Sequence, residues 1–322
     1  MKLLFFDDYK LGVLRENTES GDIGGRGNEV VDVSSAVRKL AHLHPQDLIS
    51  AVIEAWDIHG GPLLEASRAG VGVPLDSVRI RSPLPRPLNS DCMARNYMEN
   101  VTLPEPPPIN GFAKTPNSVI GPGDAMVLPD IPATVFEGEA ELAIVIGKRA
   151  RNVPASAAFD HIFGYTNLID GSARGIPPRQ NAFYQMKSRE TFCPIGPFIV
   201  TADEIDDPQD LPVRLWTNGQ LMQDFNTSDM AYDIARCVEF VSSLHTLQPG
   251  DLIATGTNHR GLHPFMDGDR VELEVGGLGR LSIGIRDDLG RTWRRETRHE
   301  RAEAGAEGTS PQLTGKYAPD GA

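Results

Sequence analysis

The stretch from Val135 to Gly147, VFEGEAELAIVIG, constrains this chain more than any other. Glutamates at 137, 139 and 141 recur every second residue and lead into Leu142, Ala143, Ile144, Val145 and Ile146 before Gly147 closes the run. Alternation of period two followed by a short β-branched apolar run predicts a strand. Residues two apart on a strand share a face, so one strand gathers three carboxylates just where it enters the core. Two readings account for this. Either the acids form a solvated or edge strand that uses charge to deter aggregation, or they converge on a cation. Adjacent same-face positions lie roughly 6.6 Å apart, and hard divalent cations take one or two carboxylates together with other oxygens. A third oxygen ligand is available in GYTNLIDGSARG, where an apolar run ends in Asp170 at a Gly/Ser turn. No Cys or His pair stands at the spacing of a zinc site.

The 322 residues carry a formal net charge of −13. Such a field repels nucleic acid and anionic membranes, so an anionic substrate needs a local cation. No apolar run approaches the roughly 20 residues of a membrane-spanning helix. The start, MKLLFFDDYKLG, meets Asp7 and Asp8 too soon for a signal peptide. Three widely spaced cysteines, Cys92, Cys193 and Cys237, argue for a reducing compartment rather than a disulfide framework, and a cytoplasmic location is expected.

Residues 1–85 read as a small α/β unit. Its strands are MKLLFF, KLGVLRE and VVDVS, and a helix over PQDLISAVIEAWDIHG begins at Pro45 and stops at Gly60. Residues 86–296 turn to short β-like runs rich in Gly and Pro. Within them TSDMAYDIARCVEFVSSLHTLQPGD reads as a helix capped by Ser228, and RVELEVGGLGRLSIGIRD as a hairpin. Residues 297–322 are polar and expected to be disordered. GGRGNE lacks the context of a phosphate loop and reads as a hairpin loop; no GxSxG elbow occurs. Cys193 lies among apolar residues and reads as a buried small hydrophobe. ATGTNHRG offers backbone N–H groups and the Thr257 hydroxyl to an anion.

Taken in order, EGEAELAIVIGKRARNV, GYTNLIDGSARG, KSRETFCPIGPFIVTADEI, LWTNGQLMQDFNTSDMAYDI and TLQPGDLIATGT resemble the fumarylacetoacetate hydrolase (FAH) family over about residues 90–288. The resemblance implies a mainly β fold with α+β elements, a mixed β-sandwich roll of barrel-like form, usually a homodimer. The N-terminal unit is compatible with the cap domain of many members. The resemblance makes Glu139, Glu141 and Asp170 ligands of Mg²⁺, Mn²⁺ or Ca²⁺, and leaves Glu137 as an extra carboxylate. It puts Lys187 and Thr257 on the substrate carboxylate beside Tyr97 and Gly256, with Arg174 supporting the site. The implied partner is a small anionic 2-oxo acid. The implied activity is metal-dependent hydrolysis of a C–C bond in an acylpyruvate-like 2-oxo or β-diketo acid.

One segment departs from the family pattern. After Asn96-Tyr97 the position of the hydrolytic histidine carries Asn100, and that of its glutamate partner carries Leu103. An amide cannot accept a proton at neutral pH, so Asn100 is left to orient water. His259 and His263 in NHRGLH offer a relocated base or are ordinary loop histidines; Glu99 and Glu105 serve only if a lid folds them inward. Asn258 replaces the family's usual proline, and Pro177 stands where hydrolytic relatives often have an oxyanion-binding glutamine, with Gln180 nearby. The missing histidine keeps open a lyase or isomerase of the same family, an oxaloacetate-type decarboxylase or enol–keto tautomerase. A non-catalytic protein that binds metal and 2-oxo acid is the third expectation.

Overall fold

The structure, a computed structural model, describes residues 1–17, 23, 27–177 and 183–319; Gln180 and the Gly24–Arg26 part of the GGRGNE loop lie outside them. The glutamate strand spans Val135–Ile146 and is buried along its whole length. It runs antiparallel to Ile162–Arg174 on one side and to Leu252–Ala254 on the other, inside a 12-stranded sheet. The solvated or edge reading of this strand is therefore wrong: it lies inside the sheet, paired throughout on one side and at Ala143–Val145 on the other, and every residue of it is buried.

Beyond Ile162–Arg174 lies Cys193–Thr201, which pairs with the N-terminal strand Lys2–Phe6 through Lys2↔Val200 and Leu3↔Ile199. The N-terminal strands thus extend the same sheet. A second sheet, of five strands, contains the expected hairpin of Arg270–Val275 with Arg280–Arg286 and packs on the first. Between the sheets, Phe136, Leu142 and Ile144 meet Leu215, Leu273 and Leu281. On the other face Val145, Leu168 and Ile195 meet Leu48, Val52 and Leu63 of the helices Pro45–Glu54 and Trp56–Ala69. Burying each such side chain stabilises the fold by about 1.5–3 kcal/mol. The result is the expected sheet-dominated sandwich. The strand order of each sheet has free ends, so no barrel closes among the described residues.

Three local expectations are corrected. The helix begun at Pro45 breaks at Ala55, whose φ of −108° and ψ of 40° leave the helical region. Gly60 does not stop it; it lies inside the second helix, where an added Cβ would stand 2.9 Å from the Trp56 ring. The helix Ile234–Leu244 is capped by Asp233, whose carboxylate accepts from the Arg236 N–H at 2.7 Å, whereas Ser228 sits in a preceding 3₁₀ turn. The tail after Thr297, expected to be disordered, forms the helix Arg298–Glu303. Its capping box joins Thr297 to Glu300, and Gln312–Thr314 pairs with Thr292–Trp293.

Gly138, between two of the glutamates, faces Gly171 across the ladder. A Cβ on Gly138 would lie 2.4 Å from the Phe265 ring and 2.8 Å from Ile169. Neither neighbour is a flexible chain end, so Gly138→Ala is expected to destabilise the protein by about 1–3 kcal/mol. Scanning calorimetry would read this as a lowered Tm.

Candidate active site

Register builds the site. Glu139 lies directly opposite Asp170, and Glu141 follows two residues along the same face. One oxygen from each of the three lies within 4.8 Å of the others, and all three side chains are buried. Carboxylates directly opposed on neighbouring strands repel, so the arrangement stands only with compensating cations.

Two lysines supply part of the compensation. Lys187 Nζ donates to Glu139 Oε1 at 2.7 Å and also to Asp170 Oδ2. Lys114, which the sequence reading missed, donates to the other Asp170 oxygen and to the Lys187 carbonyl at 2.6 Å. Both are buried. Burial opposes the charge of Lys114, yet Asp170 beside it holds its pKa above the usual lysine value. A lone Lys at the end of the strand Gly111–Lys114 reads as a surface residue; its only sequence signal is the number of acids needing a partner.

Burial works against the Glu139 charge, but Lys187 and then Arg174 hold its carboxyl well below the ordinary range. Glu141 goes the other way: burial first, then Asp170 and Glu139, push it well above. Its Oε2 accepts from the Gly256 N–H at 2.6 Å, while Oε1, buried, has no hydrogen-bond partner. Gly256 has a φ of +87°, and a Cβ there would stand 2.9 Å from that of Asn96; a glycine lets the backbone approach the acid. An orphaned buried carboxylate oxygen, beside two acids bridged by an ammonium, fits a hard divalent cation, and an all-oxygen donor set suits Mg²⁺, Mn²⁺ or Ca²⁺.

Glu137 is not part of this trio, nor is it exposed. Its Oε2 accepts from Arg174 Nε at 3.0 Å, and Arg298 of the tail helix grips both its oxygens. Arg298 and then Arg174 overcome burial and keep its carboxyl below the usual range. Gln223, also missed, ties the strand to the glycine loop. Its Oε1 accepts from the Ala140 N–H at 3.1 Å, and its Nε2 donates to Thr257 Oγ1 at 3.0 Å and to the Asn258 carbonyl at 2.8 Å.

Of the three carboxylates Glu139 opens onto a pocket of about 410 Å³, walled on one side by the stacked rings of Phe112 and Phe183, with Glu141 and Asp170 buried beneath it. Glu139, Lys187, Arg174, Tyr97, His259 and Glu99 line it as well. A larger cleft of about 620 Å³ runs between His44 and Gln248, far from this chemistry. Of the two candidate histidines, only His259 reaches the pocket. His263 is buried between Thr217 Oγ1 at 2.7 Å and the Gly261 carbonyl at 3.0 Å. Asn100 is not brought to the pocket; it is held outside by Asp229 and Asn258 and lines a different groove. Thr257 is buried, and its hydroxyl accepts from Gln223. Cys193 is buried, and burial pushes its thiol up to about 12.

Fold and site together define a sandwich enzyme whose buried carboxylate trio fits a hard divalent cation at the floor of a small pocket. Residues 88–286 match the fumarylacetoacetate (FAA) hydrolase C-terminal region, and the chain belongs to the fumarylacetoacetate hydrolase family. It is 32% identical over 302 residues to a maleylpyruvate hydrolase of Aquipseudomonas alcaligenes, covering 89% of this chain and 99% of that protein. It is 32% identical over 281 residues to the oxaloacetate tautomerase YisK of Bacillus subtilis, covering 80% and 93%. The crystal structure of maleylpyruvate hydrolase from Sphingobium sp. SYK-6 in complex with manganese(II) and pyruvate superposes with a TM-score of 0.77. That pair shares 32% identity, over 89% of this chain and 99% of the other.

Asp170→Asn removes one oxygen charge from the trio. Calorimetry is expected to show Mn²⁺ affinity lowered on the order of 100-fold or more, beyond the roughly 10–100-fold typical of losing an outer partner. His263 provides a pH test. Burial lowers its pKa from 6.5 to about 4, so the unfolded chain takes up a proton that the fold refuses. The stability this histidine contributes is therefore present above pH 6.5 and lost as pH falls from there towards 4, by about 2 kcal/mol at pH 5. His263→Gln should lose less Tm than the wild type between pH 7 and pH 5.

Proposed function

We propose that this chain is a divalent-metal-dependent hydrolase that cleaves the C–C bond of a small acylpyruvate-like 2-oxo acid. The observation that carries the reading is the buried trio of Glu139, Glu141 and Asp170 with an orphaned Glu141 oxygen, of which Glu139 opens onto a pocket lined by Lys187 and Arg174. These three acids would hold Mg²⁺, with Mn²⁺ and Ca²⁺ also suited to the donor set. Such an ion, when bound, acts as a Lewis acid on the 2-oxo group and lowers the energy of an adjacent enolate. Lys187 draws the substrate carboxylate to the pocket floor, and the Thr257 hydroxyl, oriented by Gln223, supports that end. Arg174 fixes Glu139 and Glu137 in place. The stacked Phe112 and Phe183 shed water from the acyl half. Water adds to the distal carbonyl carbon, the bond to the central CH₂ breaks, and pyruvate leaves after the enolate carbon is protonated. Three free buried cysteines support a cytoplasmic setting, and the family resemblance supports a homodimer.

A second reading, oxaloacetate-type tautomerisation or decarboxylation, is favoured by Asn100 at the position of the hydrolytic histidine. It uses the same enolate chemistry and needs no activated water.

Acetylpyruvate with Mg²⁺ or Mn²⁺ is expected to give pyruvate and acetate in equal amounts, with turnover abolished by a chelator. Asp170→Asn is expected to lower kcat/KM on the order of 100- to 1000-fold. Turnover without metal sinks the reading. Enol–keto exchange or CO₂ release from oxaloacetate with no acylpyruvate cleavage replaces it with the second.

A further inference from the structure

Asn100 cannot take a proton, yet the pocket holds a group that can. His259 Nδ1 stands 2.7 Å from Glu99 Oε1, and the same carboxylate accepts the His259 backbone N–H at 2.9 Å. A carboxylate on Nδ1 fixes that nitrogen as the donor and leaves the Nε2 lone pair free. Nε2 has no hydrogen bond among the described residues, and the ring lines the pocket together with Glu139 and Lys187. The pair is largely buried, with side-chain exposures of 22% for His259 and 15% for Glu99.

Glu99 comes to His259 on an unusual piece of backbone. Glu99, Asn100 and Val101 follow one another at φ values of 55°, 59° and 60°. Left-handed conformation is uncommon outside glycine and a clear outlier for a β-branched residue such as Val101. The segment holds this shape because the Asp229 carboxylate accepts the N–H groups of Asn100 at 2.8 Å and Val101 at 3.1 Å. Asn258, the residue before His259, donates its side-chain amide to the Asn100 side-chain oxygen at 3.0 Å. The loop carrying the imidazole and the segment carrying its carboxylate are therefore tied at two neighbouring points. Strained backbone persists where its surroundings over-determine it and concentrates at functional sites.

We infer that His259 is the general base of the hydrolytic step and Glu99 its positioning residue, a pair assembled only when the segment around Glu99–Val101 is latched by Asp229 over the pocket. The inference rests on the metal-dependent hydrolase reading above. His259 Nε2 takes a proton from water as the water oxygen bonds to the distal carbonyl carbon and the carbonyl electron pair moves onto its oxygen. That pair then re-forms the C=O bond, and the C–C bond breaks with its electrons passing into the enolate. The imidazolium returns its proton to the enolate carbon, so the base is restored. Water and acylpyruvate become a carboxylic acid and pyruvate, with no other reactant. Asn100 occupies the family's histidine position without its role, because the role has moved to the glycine loop.

The test uses the full chain with Mn²⁺, acetylpyruvate as substrate and oxalate as a non-reacting probe of the metal site. His259→Ala is expected to lower kcat on the order of 100- to 10,000-fold while Mn²⁺-dependent oxalate binding stays within about threefold, and added imidazole is expected to restore part of the rate. Glu99→Gln keeps an acceptor for Nδ1–H but loses the charge; it is expected to lower kcat more than tenfold with KM little changed, and Glu99→Asp to recover part of the loss. Asp229→Ala is expected to lower kcat with oxalate binding intact. Wild-type turnover in His259→Ala with oxalate binding intact overturns the base assignment alone. A rate loss in His259→Ala that imidazole does not relieve also overturns it. No Mn²⁺-dependent oxalate binding in the wild type overturns the metal-site reading, and the pair with it.

Discussion

Two carboxylates forced to face each other across a β-ladder are the constraint on which the rest of this site depends. The antiparallel register sets Glu139 against Asp170 on a strand buried along its length, and removing either charge from solvent is costly unless it is paired. Lys187 spans the pair, Lys114 backs Asp170, and Arg174 takes Glu139 from the side. Glu141 is left over. Its surroundings favour the neutral acid, because burial, Asp170 and Glu139 all disfavour its charge.

The sandwich holds this frustrated cluster rigid by using the alternation of the strand twice. One face of Val135–Ile146 drives Phe136, Leu142 and Ile144 into the core between the sheets, and the other turns from acids to Val145 as it passes from pocket to helix layer. Gln223, from the second sheet, hydrogen-bonds both the acid strand and the loop at Thr257 and Asn258. The two layers thus set the distance between the acid trio and the loop that carries His259.

How much was legible follows the same division. The strand, the acid trio and Lys187 could be read because a two-residue period and an ordered set of motifs leave a local signature. Lys114 and Gln223 could not, since each matters through a partner more than fifty residues away and looks by itself like ordinary surface. The helix expected over residues 45–60 missed its break at Ala55, because apolar spacing continues across it and Gly60 serves close packing against Trp56 rather than termination. The tail was misread from composition, although Thr297 and Glu300 already spelled a capping box. His259 was in view but undecided: only the fold brings Glu99, 160 residues away in sequence, to its ring.

Glu137 receives Arg174 from its neighbouring strand and Arg298 from 161 residues further along, beyond the matched family region. The pocket is therefore flanked by a helix of six residues held to the body by Glu137, by the Leu262 carbonyl under the Arg298 N–H and by Arg260 against His299. Variation in that helix alters the reaction chamber itself, so cutting the chain back to the matched family region would take away a wall of the pocket and not merely a tail.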